Sequence, residues 1–171
     1  GVFSPSTGVG NYTITYTYTN GNGCTNSTQQ STVVNALPTV SYSGFNVAHQ
    51  YCANAAVVNL TGNPVGGTFS GTGVTGGGAF TPATAGLGTH NITYTYTNGN
   101  GCTNTSSQSV TVVAVPVVSF TGLSGDYCVN DFPVLLAGNQ GTNGTFSGPG
   151  ITNNGNGTAQ FSPTTAGVGG S

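Results

Sequence analysis

Lysine, arginine, glutamate, methionine and tryptophan are all missing from these 171 residues, and the only acidic side chains are Asp126 and Asp131. Without cations there is nothing to neutralise phosphate, so a nucleic-acid partner is excluded on electrostatic grounds. Attraction to anionic lipid fails for the same reason. No apolar run approaches the length of about 18 residues that a spanning helix needs, so no membrane span is expected. A domain surface normally carries about a quarter or more charged residues; here the fraction is 1%. Thr, Asn, Ser and Gly must therefore supply solubility, and weak mutual repulsion favours association between molecules.

What is present is order by repetition. The string Ile-Thr-Tyr-Thr-Tyr-Thr-Asn-Gly-Asn-Gly-Cys-Thr-Asn runs from Ile14 to Asn26 and again from Ile92 to Asn104, an offset of 92 − 14 = 78 residues. Pro38 recurs as Pro116, Tyr51-Cys52 as Tyr127-Cys128, and Gly67-Thr-Phe-Ser-Gly71 as Gly144-Thr-Phe-Ser-Gly148. Phe3-Ser-Pro5, Phe80-Thr-Pro82 and Phe161-Ser-Pro163 form a third set. A fixed period of this kind marks an array of one structural unit. The expected organisation is the C-terminal part of one repeat in residues 1–37, a complete repeat in 38–115 and the N-terminal part of a third in 116–171. The sequence thus reads as a window on a longer array, with no leader peptide visible at Gly1.

Strand patterning is clear. Tyr12, Ile14, Tyr16 and Tyr18 alternate with Thr13, Thr15, Thr17 and Thr19, and Ile92 to Thr97 repeats the pattern. Period two with aromatic and β-branched residues predicts half-buried strands. The Asn-Gly pairs that follow predict a tight hairpin, with a return strand through Ser109–Val113. Further strands are expected near residues 39–42, 55–61, 67–70 and 78–81. Gly, Pro and β-branched clusters leave almost no room for helix. With eight Tyr, eight Phe and 35% hydrophobic residues, disorder is disfavoured. The expected fold is all-β: tandem immunoglobulin-like β-sandwich modules of about 78 residues per repeat. The expected core of the complete repeat is Val40, Tyr42, Val58, Leu60, Phe69, Phe80, Ile92, Tyr94, Tyr96, Val110 and Val112. The short apolar link from Val113 to Pro116 predicts semi-rigid joints.

Each repeat carries one Cys after a Tyr (Cys52, Cys128) and one after the Asn-Gly turn (Cys24, Cys102). Four cysteines allow three pairings. Repeat logic favours Cys52–Cys102 within the complete repeat, leaving Cys24 and Cys128 to partners outside the window or in a neighbouring subunit. The rival scheme joins neighbouring repeats through Cys24–Cys52 and Cys102–Cys128. Such a bridge is worth roughly 4 kcal/mol in the chain-entropy model and persists outside the reducing cytoplasm. Zinc held by His49, Cys52, His90 and Cys102 is the competing use of these residues. It is disfavoured because Gly125 and Tyr12 stand where the sibling repeats should carry the histidines.

Motifs for catalysis or cofactors are weak. Gly71-Thr-Gly-Val-Thr-Gly76 matches a dinucleotide pattern, but lacks the helix that would hold the pyrophosphate. Asp126 and Asp131 flank Cys128 and read as turn residues, and residues 38–115 contain no acid at all. No calcium set, carboxylate pair or nucleophile elbow is formed. No enzyme activity, cofactor or metal is expected. Thr93, Thr95 and Thr97 beside Thr111 predict an outward hydroxyl face, which reads first as a solvated sheet surface. Asn-x-Ser/Thr sequons at Asn11, Asn26, Asn59, Asn91, Asn104, Asn143 and Asn156 follow from composition and would matter only in a host that glycosylates them.

Taken together, Tyr-Cys, Leu60-Thr-Gly62, Gly66 to Gly71, Phe80 to Gly86 and the Ile-Thr-Tyr-Thr-Tyr string resemble the Ig-like or PKD-like tandem repeats of large cell-surface proteins in Bacteroidota. The resemblance implies an extracellular, cell-surface location, export by type IX secretion, and a role in attachment or gliding as an adhesin. The implied function is a structural or adhesive stalk or filament whose partners are neighbouring repeats and, by homo-assembly, further copies. A carbohydrate-binding β-sandwich acting on surface glycans is the alternative, with ice binding through the Thr rows behind it. One variant joins copies end to end, with residues 1–36 supplying missing strands and Cys24 serving Cys128; a longer chain is the simpler reading.

Overall fold

Alternating Thr and Tyr residues, closed by Asn-Gly turns, fold as two long hairpins, and the rest of the chain as short strands. The computed structural model of the chain describes residues 1–168, and it is all-β apart from single helical turns. It divides into two compact units, residues 1–115 and 116–171.

In the first unit, β1 (Gly10–Thr19) and β2 (Thr25–Val34) pair antiparallel as a two-stranded ribbon. Residues 38–115 then supply β3 (Ser41–Ser43), β4 (Gln50–Cys52), β5 (Val58–Asn59), β6 (Thr61–Asn63), β7 (Thr68–Ser70) and β8 (Ala79–Phe80). A single turn, α1 (Pro82–Ala85), leads into β9 (Gly88–Thr97) and β10 (Thr103–Val113). The order in the main sheet is β4-β10-β9-β7, and β3-β6 and β5-β8 form two further ribbons. Proline at the start of α1 explains that turn, since a helix's first N–H needs no partner. The second unit holds β11 (Phe120–Thr121), β12 (Val134–Gly138), β13 (Ile151–Asn153) and β14 (Thr158–Phe161), then the turn α2 (Pro163–Ala166), with sheet order β11-β12-β14-β13.

The hairpins carry their repetition into three dimensions. Gly10 faces Val34 and Tyr16 faces Thr28 in β1–β2, while Gly88 faces Val112 and Tyr94 faces Ser106 in β9–β10. Every register position is thus kept at the 78-residue offset. In each turn an Asn side chain (Asn20, Asn98) accepts the amide of the Cys four residues on. That fixes how the tip is closed.

One core is fully assembled. Tyr42, Leu60, Phe69, Phe80, Ile92, Tyr94, Val110 and Val112 are buried in a single cluster, and Val40, Val58 and Tyr96 pack against it partly buried. Ala85, Phe45, Tyr51 and Val74 join it as well, although their spacing did not mark them. Strand limits also differ from expectation. The return strand of the hairpin starts at Thr103 rather than Ser109, and the Tyr-Cys segment is itself a strand, β4, lying parallel to the end of β10.

Candidate functional site

The chemistry this chain offers lies where the β9–β10 hairpin meets its seat. Tyr94 is the anchor. Its hydroxyl donates to the Pro64 carbonyl and accepts from the Gly67 amide at 2.8 Å, and its ring lies 4.6 Å from that of Phe69. Glycines make the room. A Cβ on Gly62 would fall 2.0 Å from the Tyr94 ring, one on Gly67 2.6 Å from it, and one on Gly71 2.5 Å from the Asn91 carbonyl. Polar ties complete the seat: Tyr42 donates through its hydroxyl to the Ile92 carbonyl at 2.8 Å, and Gln108 donates to the Tyr42 carbonyl at 2.8 Å. Burial pushes the Tyr42 phenol above its ordinary value, with a backbone bond at Gln108 working against it.

Both surfaces recur elsewhere in the sequence. On β1–β2, Ile14, Tyr16 and Tyr18 are 48%, 67% and 59% exposed, whereas Ile92 and Tyr94, their equivalents in an identical stretch of sequence, are 0% and 2% exposed. In the second unit, Phe120, Leu136 and Phe146 stand where Tyr42, Leu60 and Phe69 stand in the first. Phe120 and Phe146 line an open groove of about 560 Å³ that runs past Gly138 and Gly144, and with Leu136 they line another of about 440 Å³ beside Leu123 and Ile151. A Cβ on Gly138, Gly144 or Gly148 would meet nothing nearer than 3.4, 3.6 and 3.7 Å. These are the counterparts of Gly62, Gly67 and Gly71. By contrast, glycines that face other parts of the repeat are crowded in both units: Gly73 and Gly150 at 2.5 Å, Gly44 and Gly122 at 2.5 and 2.2 Å.

The structure corrects the expected cysteine pairing. Cys52 pairs with Val113 at the last position of β10, whereas Cys102 immediately precedes its first residue, Thr103. At about 3.3 Å per residue the length of β10 separates them by on the order of 35 Å. A disulfide needs Cα atoms within about 7 Å. The two thiols are free, as are those of Cys24 and Cys128. Sequence logic placed both cysteines of a repeat together because it missed β4, whose parallel pairing carries Cys52 to the far pole. Cys102 instead lies beside the preceding hairpin, its sulfur 3.9 Å from the Asn35 carbonyl.

The remaining candidates occupy ordinary positions. The imidazole of His49 bonds the Ser109 carbonyl through Nδ1 at 3.0 Å, and that of His90 the Gly86 carbonyl through Nε2 at 2.9 Å. With Cys52 and Cys102 at opposite ends of β10, these four side chains do not converge. Gly71 to Gly76 forms the turn after β7 rather than the start of a helix. Asp131 accepts the Cys128 amide at 2.7 Å, which is a turn. The Thr face is a ladder of cross-strand hydroxyl pairs, Thr89 with Thr111, Thr93 with Ser107 and Thr97 with Thr103. Each such pair stabilises the hairpin by about 0.2–1 kcal/mol.

Comparison with protein-family models, with curated proteins and with solved structures finds no match to this chain.

Proposed function

We propose that this chain is a load-bearing part of an extracellular, cell-surface stalk or filament, built from tandem immunoglobulin-like sandwich modules of the complete repeat's design, in the manner of surface adhesins. The observation that carries the reading is how the complete repeat is tied between its ends. The entering segment runs alongside the leaving strand in the same direction: Asn104 donates to the Pro38 carbonyl at 2.9 Å and Gln108 to the Tyr42 carbonyl at 2.8 Å. Beyond them β4 pairs parallel with the end of β10, from Thr111 to Val113. Tension applied at Pro38 and Val113 pulls these neighbours in opposite directions along their length. The bonds are then loaded together in shear and do not open one at a time.

Composition supports the same use. A surface with no lysine or arginine gives trypsin-like proteases nothing to cut, and low charge lets repeats lie close. The seat around Tyr94 is filled by the chain itself, so the complete repeat spends its best apolar surface on cohesion.

Single-molecule extension of the chain between its ends tests the reading. Residues 38–115 should yield in one sharp force peak. Replacing Asn104 and Gln108 by alanine should lower that peak more than it lowers stability in urea, because only shear loads both ties. Extension without a resolved peak, or a peak unchanged in the double variant, contradicts a load-bearing role.

A further inference from the structure

Each hairpin turn carries two Asn-Gly pairs in succession, Asn20-Gly21-Asn22-Gly23 and Asn98-Gly99-Asn100-Gly101. An Asn-Gly step is prone to lose ammonia, because glycine has no side chain to keep its nitrogen away from the asparagine carboxamide. The two pairs of one turn are bonded differently. We propose that the second asparagine of each turn, Asn22 and Asn100, is a site of spontaneous deamidation, and that the turn itself keeps the first, Asn20 and Asn98, intact.

The first asparagine is held by its side chain. Oδ1 of Asn98 accepts the amides of Asn100 and Cys102, both at 3.0 Å, and its Nδ2 donates to the Ala36 carbonyl at 3.4 Å. Oδ1 of Asn20 accepts the amides of Asn22 and Cys24, again both at 3.0 Å. For the Gly21 or Gly99 nitrogen to attack, that carboxamide must rotate, and both amide bonds break first. The second asparagine has no such hold: Asn22 and Asn100 are exposed, and their side chains make no hydrogen bond among the described residues. There only the attacking nitrogen is engaged, Gly23 with the Asn20 carbonyl and Gly101 with the Asn98 carbonyl, each at 3.0 Å. One bond has to open in place of two. Both turns show the same pattern, so it belongs to the turn and not to what surrounds it.

The step balances within the chain and with water alone. The Gly101 nitrogen bonds to Cγ of Asn100 and closes a succinimide ring. The carboxamide nitrogen leaves as ammonia, taking up the proton that the glycine amide gives up. Water then opens the ring at either carbonyl. One opening gives aspartate; the other gives isoaspartate, in which the backbone runs through the former side chain. Either product places one negative charge at the tip, in a repeat whose residues 38–115 contain no acid, lysine or arginine. One conversion in each turn takes the formal charge of the chain from −2 to −4. The Asn98 side chain still closes its turn through Cys102 and still reaches Ala36. The hairpin gains charge without losing its closure.

The inference concerns the turns alone and stands apart from the load-bearing reading. The whole chain is incubated at mildly alkaline pH, folded in one arm and in concentrated urea in the other. Peptic peptides taken over time are mapped for aspartate and isoaspartate. In the folded arm Asn22 and Asn100 should convert first, with Asn20 and Asn98 slower by about fivefold for the additional hydrogen bond that must open. In urea the four should convert at nearly one rate, faster than any of them does in the folded chain. Asn22→Gln combined with Asn100→Gln lengthens two exposed side chains that hold nothing. This double variant should keep the circular dichroism spectrum and lose the early isoaspartate from both turn peptides. Conversion of Asn20 or Asn98 as fast as their neighbours in the folded chain, the same fivefold order in urea, no conversion at Asn22 and Asn100, or early isoaspartate in the turn peptides of the double variant would overturn the proposal.

Discussion

Gly62→Ala should destabilise residues 38–115 by about 3 kcal/mol, the upper range for overpacking a core. The added methyl would sit 2.0 Å from the Tyr94 ring. That ring cannot swing aside, because its hydroxyl is held between Pro64 and Gly67 and the side chain is 2% exposed. The site has no other outlet, since a Cβ on Gly67 would meet the same ring. Urea denaturation followed by tyrosine fluorescence checks this through a lowered midpoint at unchanged slope. The matching change in the second unit, Gly138→Ala, should leave slope and midpoint nearly where they were, since its Cβ would meet nothing nearer than 3.4 Å. One substitution at two equivalent places therefore separates a filled seat from an open one.

Tyr94→Ala should cost about 4 kcal/mol, as large aromatic-to-alanine changes in cores do. The loss combines the ring's contact with Phe69 at 4.6 Å, the cavity left behind, and two hydrogen bonds. Tyr94→Phe isolates the last part. It keeps the ring and strands the Gly67 amide, a part-buried donor, which should cost about 1–2 kcal/mol. Equilibrium unfolding of the two variants side by side gives both figures. Equal losses in the two would mean that the hydroxyl, not the packing, holds the hairpin down.

How far the sequence foretold these features differs from element to element. Alternating Tyr and Thr closed by Asn-Gly was enough for both hairpins, because period and turn chemistry are local properties. The inward residues Phe69, Phe80, Ile92, Tyr94, Val110 and Val112 were legible for the same reason. Burial was not. The identical stretches Ile14–Asn26 and Ile92–Asn104 are exposed in one place and covered in the other, so no reading of those residues alone distinguishes them. Strand β4 went unseen because three residues, Gln50–Cys52, are too few to show a period. That single omission reversed the cysteine assignment, since parallel pairing with the end of β10 is what carries Cys52 away from Cys102. The glycine seat was legible only in part. Gly62, Gly67 and Gly71 recur as Gly138, Gly144 and Gly148, but recurrence alone does not say which side chain they admit.

The repeat as a self-sufficient folding unit underlies the proposed load-bearing role. Its most direct test is residues 38–115 expressed alone and melted while near-ultraviolet circular dichroism follows the buried tyrosines. A single cooperative transition, with the same tyrosine signal that those residues give in the whole chain, is the outcome predicted here. A fragment with no fixed aromatic environment, gaining one only when residues 1–37 are restored, would contradict it.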